Sequence, residues 1–442
     1  MEIKKWLFYK KRFLLDPRIK PFALYLKQNQ LLSKDELNSR NWFQRKQLVN
    51  FVYNNIPFYK KKYSEIGFHP SDLKTESDYS KLPVLEKEEI RKYTFQLINP
   101  QYKIKNLEES TTGGTTGIPL KTYIDPRYPL NIISWRTLSW WGVEPYDNSA
   151  YLYRAVPGGL KRILQKTVLY PTRRTFIAAS EMTESKMTAF YQELVSIRPT
   201  LIVGYVGAIH IFAEFLQDKR YYFPKLKAVW TTASPLTKNQ RSYMQKVFKC
   251  PVYSQYGSCE FYWIASECQK QNGMHIANDI RHIDIVDGNM PQEIGKFGDI
   301  LVTDLINYAF PLIRYRIGDR GRLLNQECSC GVPFPMMDYV HGRITDTIRL
   351  PNGMAIAGEY WTTIFDNYTD TIKSFQVHQK DNYSIVIKFE PYNGEYENAI
   401  KMVGTELNKK LKNQIPINFI KMKLDCVTGG KSQFIISDIR DQ

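Results

Sequence analysis

Hydrophobic and polar positions change rhythm along the 442-residue chain. Up to about Glu109 the apolar residues recur at helical spacing. Trp42 to Tyr53 carries them on one helix face, and Asn55-Ile56-Pro57 breaks the run. Leu82-Pro83-Val84-Leu85 opens a further segment, and Glu86 to Tyr93 reads as helix. Beyond residue 120 short apolar runs alternate with helical patterns. Leu201–Tyr205, Leu226–Thr232 and Val252–Tyr256 read as buried strands, and Ala208–Gln217 and Asn239–Phe248 as the helices between them. This alternation predicts an α/β fold with helices layered on sheet faces and ligands at the carboxyl ends of the strands. Ile280–Val286, Gly298–Thr303 and Leu312–Tyr315 predict a strand-rich subdomain.

After Gly342-Arg343 the pattern changes again. Ser374–His378, Tyr383–Phe389 and Phe419–Leu424 read as strands around an amphipathic helix from Tyr396 to Leu411, a small α+β unit. The expected organisation is a large N-terminal unit over 1–342, with a mainly helical entry over 1–109, and a small C-terminal domain over 343–442. No internal repeat or low-complexity segment interrupts it.

Charge narrows the ligand classes. Lys and Arg number 61 against 44 Asp and Glu, a net charge of +17. That balance suits polyanionic ligands: nucleotides, coenzyme A, acidic sugars, nucleic acid or an anionic membrane face. The charge is dispersed, without a basic tail or a stacking repeat, so a nucleic-acid-binding protein ranks low. No apolar run is long enough to span a bilayer. Met1 to Pro17 mixes Lys4, Lys5, Lys10, Lys11 and Arg12 with Trp6, Leu7, Phe8, Phe13 and Leu14, and lacks the apolar centre and cleavage site of a signal peptide. It reads as a basic helix packed on the protein, with peripheral membrane contact as the alternative, and a cytoplasmic location is expected. The six cysteines, at positions 250, 259, 268, 328, 330 and 426, read as thiols or metal ligands rather than disulfides.

Several segments carry candidate chemistry. Ser110-Thr111-Thr112-Gly113-Gly114-Thr115-Thr116-Gly117-Ile118-Pro119 is too polar for a strand and too glycine-rich for a helix, but its backbone N–H groups and hydroxyls can wrap a phosphate. A flexible linker is the bland alternative, and no Gly-Lys-Ser/Thr follows to make a Walker loop. In Tyr256-Gly257-Ser258-Cys259-Glu260 a strand runs into a glycine turn. There the aromatic can stack on a base and Glu260 can hold Mg²⁺, or Glu260 is simply a cap. Phe310 to Asp319 places an acid, Asp319, just past a predicted strand, where it suits ribose hydroxyls; the alternative is an ion pair with Arg314, Arg316 or Arg320. Gly342-Arg343-Ile344-Thr345-Asp346 suits a hinge, and Lys431 in Gly-Gly-Lys-Ser-Gln suits a mobile cation, though either is also an ordinary loop. Cys268, His275, Cys328 and Cys330 make a donor set for a closed tetrahedral Zn²⁺ site within 268–335, with unpaired thiols as the equal alternative.

These elements, in this order, resemble the adenylate-forming superfamily of acyl-CoA synthetases and peptide-synthetase adenylation domains. The likeness is greatest to its phenylacetate–CoA ligase branch, with the capsule-biosynthesis CapK-type proteins. It covers nearly the whole chain and extends to Asn55-Ile56-Pro57-Phe58-Tyr59 and Leu82-Pro83-Val84-Leu85. The resemblance implies activation of a small-molecule carboxylate by ATP, with release of pyrophosphate, rotation of the C-terminal domain, and transfer of the acyl group to coenzyme A. The alternative acceptor is an amine, on a sugar nucleotide or polysaccharide precursor.

By the same resemblance the Ser110–Gly117 loop holds the β- and γ-phosphates. Tyr256, beside Gly257, lies near adenine, Glu260 binds Mg²⁺, Asp319 binds ribose, Arg343 reaches the nucleotide, and Lys431 stabilises charge during adenylation. The Cys268, His275, Cys328, Cys330 set is similar to the zinc set of this branch. An acyl pocket would draw on Trp135, Trp140, Trp141, Tyr205 and Trp230, residues that singly read first as core. The chain departs from the pattern at Ile118, where many relatives place Lys, at the hinge, which is Thr345 or Asp346, and in the setting of Lys431. A scaffold that binds nucleotide without catalysis is disfavoured by Glu260, Asp319 and Lys431 occurring together. Oligomeric state stays open, with a dimer among the options.

Overall fold

Helices occupy the first hundred residues of the computed structural model, which describes residues 2–111, 120–153, 164, 166–222, 225–340, 348–356, 361, 364–365, 368, 371–391, 396–424 and 435–439. They are α1 (Glu2–Leu15), α2 (Ile19–Asn29), α3 (Lys34–Asn55), α4 (Pro57–Ser64), α5 (Glu76–Ser80) and α6 (Lys87–Leu97). α3 is longer than its apolar stripe predicted because Ser33 and Glu36 form a capping box that starts it early. It ends where expected: Pro57 forces Ile56 into extended backbone and serves as the first residue of α4.

A hairpin of β1 (Glu108–Thr111) and β2 (Lys121–Ile124) follows, then α7 (Ile133–Trp140). The central layer runs through β3 (Ser149–Tyr153), β4 (Arg174–Ala178), α8 (Glu184–Ile197), β5 (Leu201–Tyr205), α9 (Val206–Asp218), β6 (Ala228–Thr232), α10 (Lys238–Phe248) and β7 (Val252–Tyr256). β5, β7 and their helices follow the sequence reading closely. β3, β4 and α8 were not legible: Ser-Ala-Tyr-Leu-Tyr alternates weakly, and its neighbours supply the register. The chain then turns antiparallel through β8 (Ala265–Glu267) and β9 (Met274–Ile276), and after the second sheet it rejoins with β14 (Leu323–Leu324) and β15 (Met336–Met337). The result is one nine-stranded sheet in the order β14-β15-β9-β8-β7-β6-β5-β3-β4, parallel from β7 to β4. Chain order reverses about β3, so the parallel half is an open α/β sheet with a switch point, and β7 delivers Tyr256 to its carboxyl edge.

A second, antiparallel sheet has the order β11-β10-β12-β13, built from β10 (Arg281–Asp287), β11 (Met290–Pro291), β12 (Gly298–Asp304) and β13 (Tyr315–Gly321). Its first residue is the joint between the layers. Arg281 is fully buried. It donates to the Asp304 carboxylate at the end of β12 (2.6 Å), to the Ile280 carbonyl (2.7 Å) and to the Phe261 carbonyl in the turn beyond β7 (2.6 Å). The residues just before it tie in the helices: Asn41 of α3 donates to the Asn278 and Arg281 carbonyls, while Asn29 of α2 and Arg136 of α7 both donate to Asp279 (2.9 and 2.7 Å). Burial alone disfavours both charges of the Arg281–Asp304 pair, and each supplies the counter-charge that the other lost with water.

From Ile348 on, the chain packs around a core of its own, with Ile348, Trp361, Phe375, Ile387 and Leu407 among its members. It comprises the hairpin β16 (Ile348–Arg349) and β17 (Ala355–Ile356), then β18 (Ile372–Gln379), β19 (Ile385–Pro391), α11 (Glu397–Leu411), β20 (Ile417–Lys421) and β21 (Ile435–Ser437), with sheet order β20-β19-β18-β21. It touches the larger part through Arg349 to Glu214 of α9 (3.4 Å) and Lys410 to Glu181 (2.9 Å). The expected boundary near Gly342-Arg343 falls in 341–347, outside the described residues.

Arg281→Ala would strand Asp304 without its counter-charge in the joint, and is expected to cost about 3–5 kcal/mol of unfolding free energy in chemical denaturation. The double variant Arg281→Met, Asp304→Leu should recover part of that loss; a double as unstable as the sum of its single changes would contradict the pairing.

Candidate active site

At the carboxyl end of β7 the chain makes a tight turn, Tyr256 to Tyr262. The turn requires glycine at 257, because a Cβ there would lie 2.2 Å from the Tyr262 carbonyl and 2.5 Å from the Gln255 amide nitrogen. The need for Gly257 is thus met within the protein itself. The turn is closed by Tyr262 N donating to the Ser258 carbonyl (2.6 Å) and Ile264 N to that of Tyr256 (3.0 Å). Glu260, inside it, is only 4% exposed, and β8 rather than a helix follows the turn, so there is no helix for it to cap.

Three segments distant in sequence meet here. Ser110, at the end of β1, donates its hydroxyl to the Cys259 carbonyl (2.8 Å), 149 positions away. Tyr256 Oη donates to Asp319 Oδ2 (2.9 Å), and Tyr315 Oη donates to Glu260 Oε1 (2.9 Å). The Thr/Gly segment, the β7 turn and β13 therefore share one locus. Burial, and then the neighbouring carboxyls, push both phenols well above their ordinary range, so they remain proton donors that aim the two acids.

Asp319 does not sit just past a strand, as expected. β13 begins at Tyr315, where the predicted strand ended, and Asp319 lies within it. The physical reason is a β-bulge. Asp299 pairs with Arg320 and Leu301 with Arg316, so Ile317, Gly318 and Asp319 oppose a single residue, Ile300, and Gly318 takes the positive φ of 92°. The bulge re-aims Asp319 toward Tyr256. The neighbouring arginines pair with other acids: Arg314 with Asp284, Arg316 with Glu86 and Asp299, Arg320 with Asp299.

Of the expected phosphate loop, Ser110 and Thr111 pair with Thr122 and Lys121 in the hairpin, which makes 112–119 the connection between two strands. Thr112, Gly113, Gly114, Thr115, Thr116 and Gly117, together with Arg343, Thr345, Asp346 and Lys431, lie outside the described residues. Tyr315 was missed. Its only signal was membership of the Phe310–Asp319 segment, and nothing in the sequence pairs it with Glu260.

The Cys/His set also converges, at the antiparallel edge of the large sheet. Cys268 follows β8, His275 is the middle residue of β9, and Cys328 and Cys330 lie between β14 and β15. The Cys268 and Cys328 sulfurs are 3.5 Å apart, Cys330 Sγ is 3.2 Å from His275 Nε2, and the four donor atoms lie within 4.8 Å of one another. His275 Nδ1 is 2.8 Å from the Phe334 carbonyl, which can only accept, so Nδ1 carries the proton and Nε2 turns its lone pair toward the sulfurs. Burial lowers the imidazole pKa, which keeps it neutral, and pushes the Cys268 thiol up to about 12. A cation is the one partner that turns buried thiols into stable thiolates, and three sulfurs and a nitrogen at this spacing fit tetrahedral Zn²⁺.

The aromatics divide. Trp141 is buried, stacks on Tyr253 (4.8 Å, 1° between planes) and donates to the Glu267 carbonyl; Trp140 donates to Gln30. Both therefore serve the core. Trp230 lies between Trp141 and Trp263, and Tyr205 meets Tyr153 at the strand ends. A cleft of about 1000 Å³, lined by Tyr25, Arg40, Phe43, Arg127 and Tyr128, includes none of the motif residues.

No family model matches the chain. It is 24% identical to Protein CapK of Staphylococcus aureus over 412 residues, covering 89% of this chain and 88% of that one. It is 26% identical to phenylacetate-coenzyme A ligase of Thermus thermophilus over 351 residues, 74% of each chain. Among solved structures, 2-hydroxyisobutyryl-CoA ligase in complex with 2-HIB-AMP and CoA superposes with a TM-score of 0.62 at 17% identity, covering 93% of this chain and 92% of that one. The chain thus resembles the adenylate-forming ligases, with CapK and phenylacetate–CoA ligases among its relatives, and shares their fold.

Tyr315→Phe keeps the ring and removes the donor from the buried Glu260 carboxyl. It is expected to lower stability by about 1–3 kcal/mol, read from the denaturant midpoint. A neutral effect would mean that Glu260 does not depend on this hydrogen bond.

Proposed function

We propose that this chain is an adenylate-forming ligase: it activates a small-molecule carboxylic acid with ATP and passes the acyl group to the thiol of coenzyme A. The observation that carries the reading is the junction of Ser110, Cys259–Glu260, Tyr256 and Asp319 at the carboxyl edge of a parallel sheet, where such sheets bind nucleotides. The CapK and phenylacetate-coenzyme A ligase relatives and the 2-hydroxyisobutyryl-CoA ligase fold support it.

In this reading a carboxylate oxygen attacks the α-phosphorus of ATP, the bond to the β-phosphate breaks, and pyrophosphate leaves. The thiol then attacks the acyl carbon of the adenylate, and AMP departs. Phosphoryl chemistry of this kind is governed by positioning and charge neutralisation. Ser110 to Gly117 would cradle the β- and γ-phosphates, with backbone and hydroxyl donors in place of the Lys that Ile118 replaces. Asp319, steadied by Tyr256, would bind the ribose, with adenine against the Tyr256 turn. Glu260, held by Tyr315, presents one preset carboxyl oxygen, which fits a Mg²⁺ ligated mainly by phosphate and water. A Mg²⁺ held there would neutralise polyphosphate charge. Arg343 and Lys431 would add positive charge near the nucleotide. Cys268, His275, Cys328 and Cys330 would hold a structural Zn²⁺ that ties the β14–β15 connection to β8 and β9.

Pyrophosphate release that depends on both ATP and one acid out of a panel is the expected outcome, with a thioester formed when coenzyme A is added. Silence across a broad panel, from folded protein, would overturn the reading. An amide formed with amines but no thioester would move the acceptor to an amine, the alternative raised by the CapK likeness.

Zinc makes a separate prediction. Metal analysis should find about one Zn²⁺ per chain. Cys328→Ser should lose it and melt roughly 5–10 °C lower. Protons compete for both thiolate and imidazole, so retention should fall as pH drops through the ordinary histidine range. Stable protein that never carries metal would refute the site.

A further inference from the structure

The first helix has an outer face that the fold leaves unused. α1 is fixed to the body by its inner side. Phe8 is 3% exposed and packs on Trp135 and Tyr146, Lys4 donates to Asn148 (3.1 Å), and Lys11 donates to the Tyr170 carbonyl (3.3 Å). The opposite face carries Ile3, Trp6, Lys10 and Leu14, at the i, i+3, i+7, i+11 spacing of one helical stripe. Three of these four are large and apolar, yet Ile3 is 81%, Trp6 59% and Leu14 73% exposed. Leu15 and Tyr170 are also exposed, but they lie on the side of Lys11, which sits 6.0 Å from the Tyr170 ring, and they are not part of this stripe.

Single exposed apolar residues are ordinary on proteins. Alignment along one stripe, on a helix already anchored by its other side, is not explained by packing. The charge identifies what covers it. α1 has five basic residues, Lys4, Lys5, Lys10, Lys11 and Arg12, against one acid, Glu2; Lys4 and Lys11 are bonded to the body, and Lys5 and Lys10 are exposed. Lys10 lies 4.5 Å from the Trp6 ring centroid, so a cation sits within the apolar stripe itself. A second copy of the chain meeting this face in a symmetric dimer would bring two such basic helices together, which opposes self-association. An anionic lipid surface offers both things the face lacks: headgroup phosphates for the lysines, and an interfacial zone into which Ile, Leu and Trp side chains insert. No helix among the described residues is long and apolar enough to cross a membrane, so contact of this kind is peripheral.

We infer that the Ile3–Trp6–Lys10–Leu14 face of α1 docks the protein flat on an anionic bilayer surface. The inference stands apart from the reaction, because none of these residues belongs to the nucleotide locus. The test is co-sedimentation of the full chain with vesicles of phosphatidylcholine alone and of phosphatidylcholine mixed with phosphatidylglycerol. Binding to the mixed vesicles at low salt is expected, with little to phosphatidylcholine alone, and it should weaken as salt rises. Lys10→Glu should lower the partition coefficient roughly tenfold or more. The triple change Ile3→Ser, Trp6→Ser, Leu14→Ser should lower it at least as far while leaving the melting temperature in place, since all three side chains point outward. The inference fails if the wild type ignores mixed vesicles at low salt, or if Lys10→Glu binds as well as the wild type. It also fails if sedimentation equilibrium finds a dimer in the wild type that the triple change dissolves and vesicle binding is absent.

Discussion

The Arg281 guanidinium is the contact on which the arrangement of layers rests. It is a charge taken wholly out of water, and it is tolerable because Asp304 and two backbone carbonyls replace the water it gave up. Those partners belong to different parts of the molecule. Asp304 ends the middle strand of the second sheet, and the Phe261 carbonyl belongs to the turn that leaves the first. One side chain therefore sets the distance between the sheet that displays Glu260 and the sheet that carries Asp319. The adjacent Asp279 extends the same constraint to α2 and α7. An apolar joint of equal volume would hold the layers together, but hydrogen bonds of fixed direction also define their relative angle.

The proposed nucleotide locus uses that angle. Two acids face it, and each is aimed by a tyrosine whose hydroxyl stays protonated. Each tyrosine lies at a strand end next to the acid that the other one holds: Tyr256 precedes Glu260 but binds Asp319, and Tyr315 precedes Asp319 but binds Glu260. The two hydrogen bonds cross between β7 and β13, so neither acid can be placed correctly unless both sheets are. Such mutual dependence preorganises the site before any ligand arrives.

At the other end of the sheet, the Cys/His set would, with the proposed metal, do for the β8–β9–β15 edge what Arg281 does for the layers. It gathers segments that are short, polar and rich in turns, and too small to bury a core of their own. There a metal's directional bonds would stand in for missing apolar contact. The outer face of α1 is the converse case, with apolar side chains in place and no protein surface to meet them.

Periodicity alone determined much of this protein: the helical entry, the β5–α9–β6–α10–β7 succession and the C-terminal α+β unit. Each is a local pattern: spacing near 3.6 marks the buried face of a helix, and a short continuous apolar run marks a strand buried on both faces, as β5 and β7 are. The segments bearing Ser110, Glu260, Asp319 and the four Cys and His donors stood out by residue type and spacing, each beside a structural alternative. Tertiary structure alone decided the rest. β3 and β4 form because neighbouring strands supply hydrogen bonds that their own alternation does not demand. Asp319 faces the locus because a bulge opposite Ile300 turns it. Tyr315 and Arg281 look like core and surface residues in sequence, and they become an orienting donor and a joint only because residues 55 and 23 positions away complete their hydrogen bonds. Spacing along a chain reports the face a residue presents, and the partner waiting on that face is settled by packing between layers.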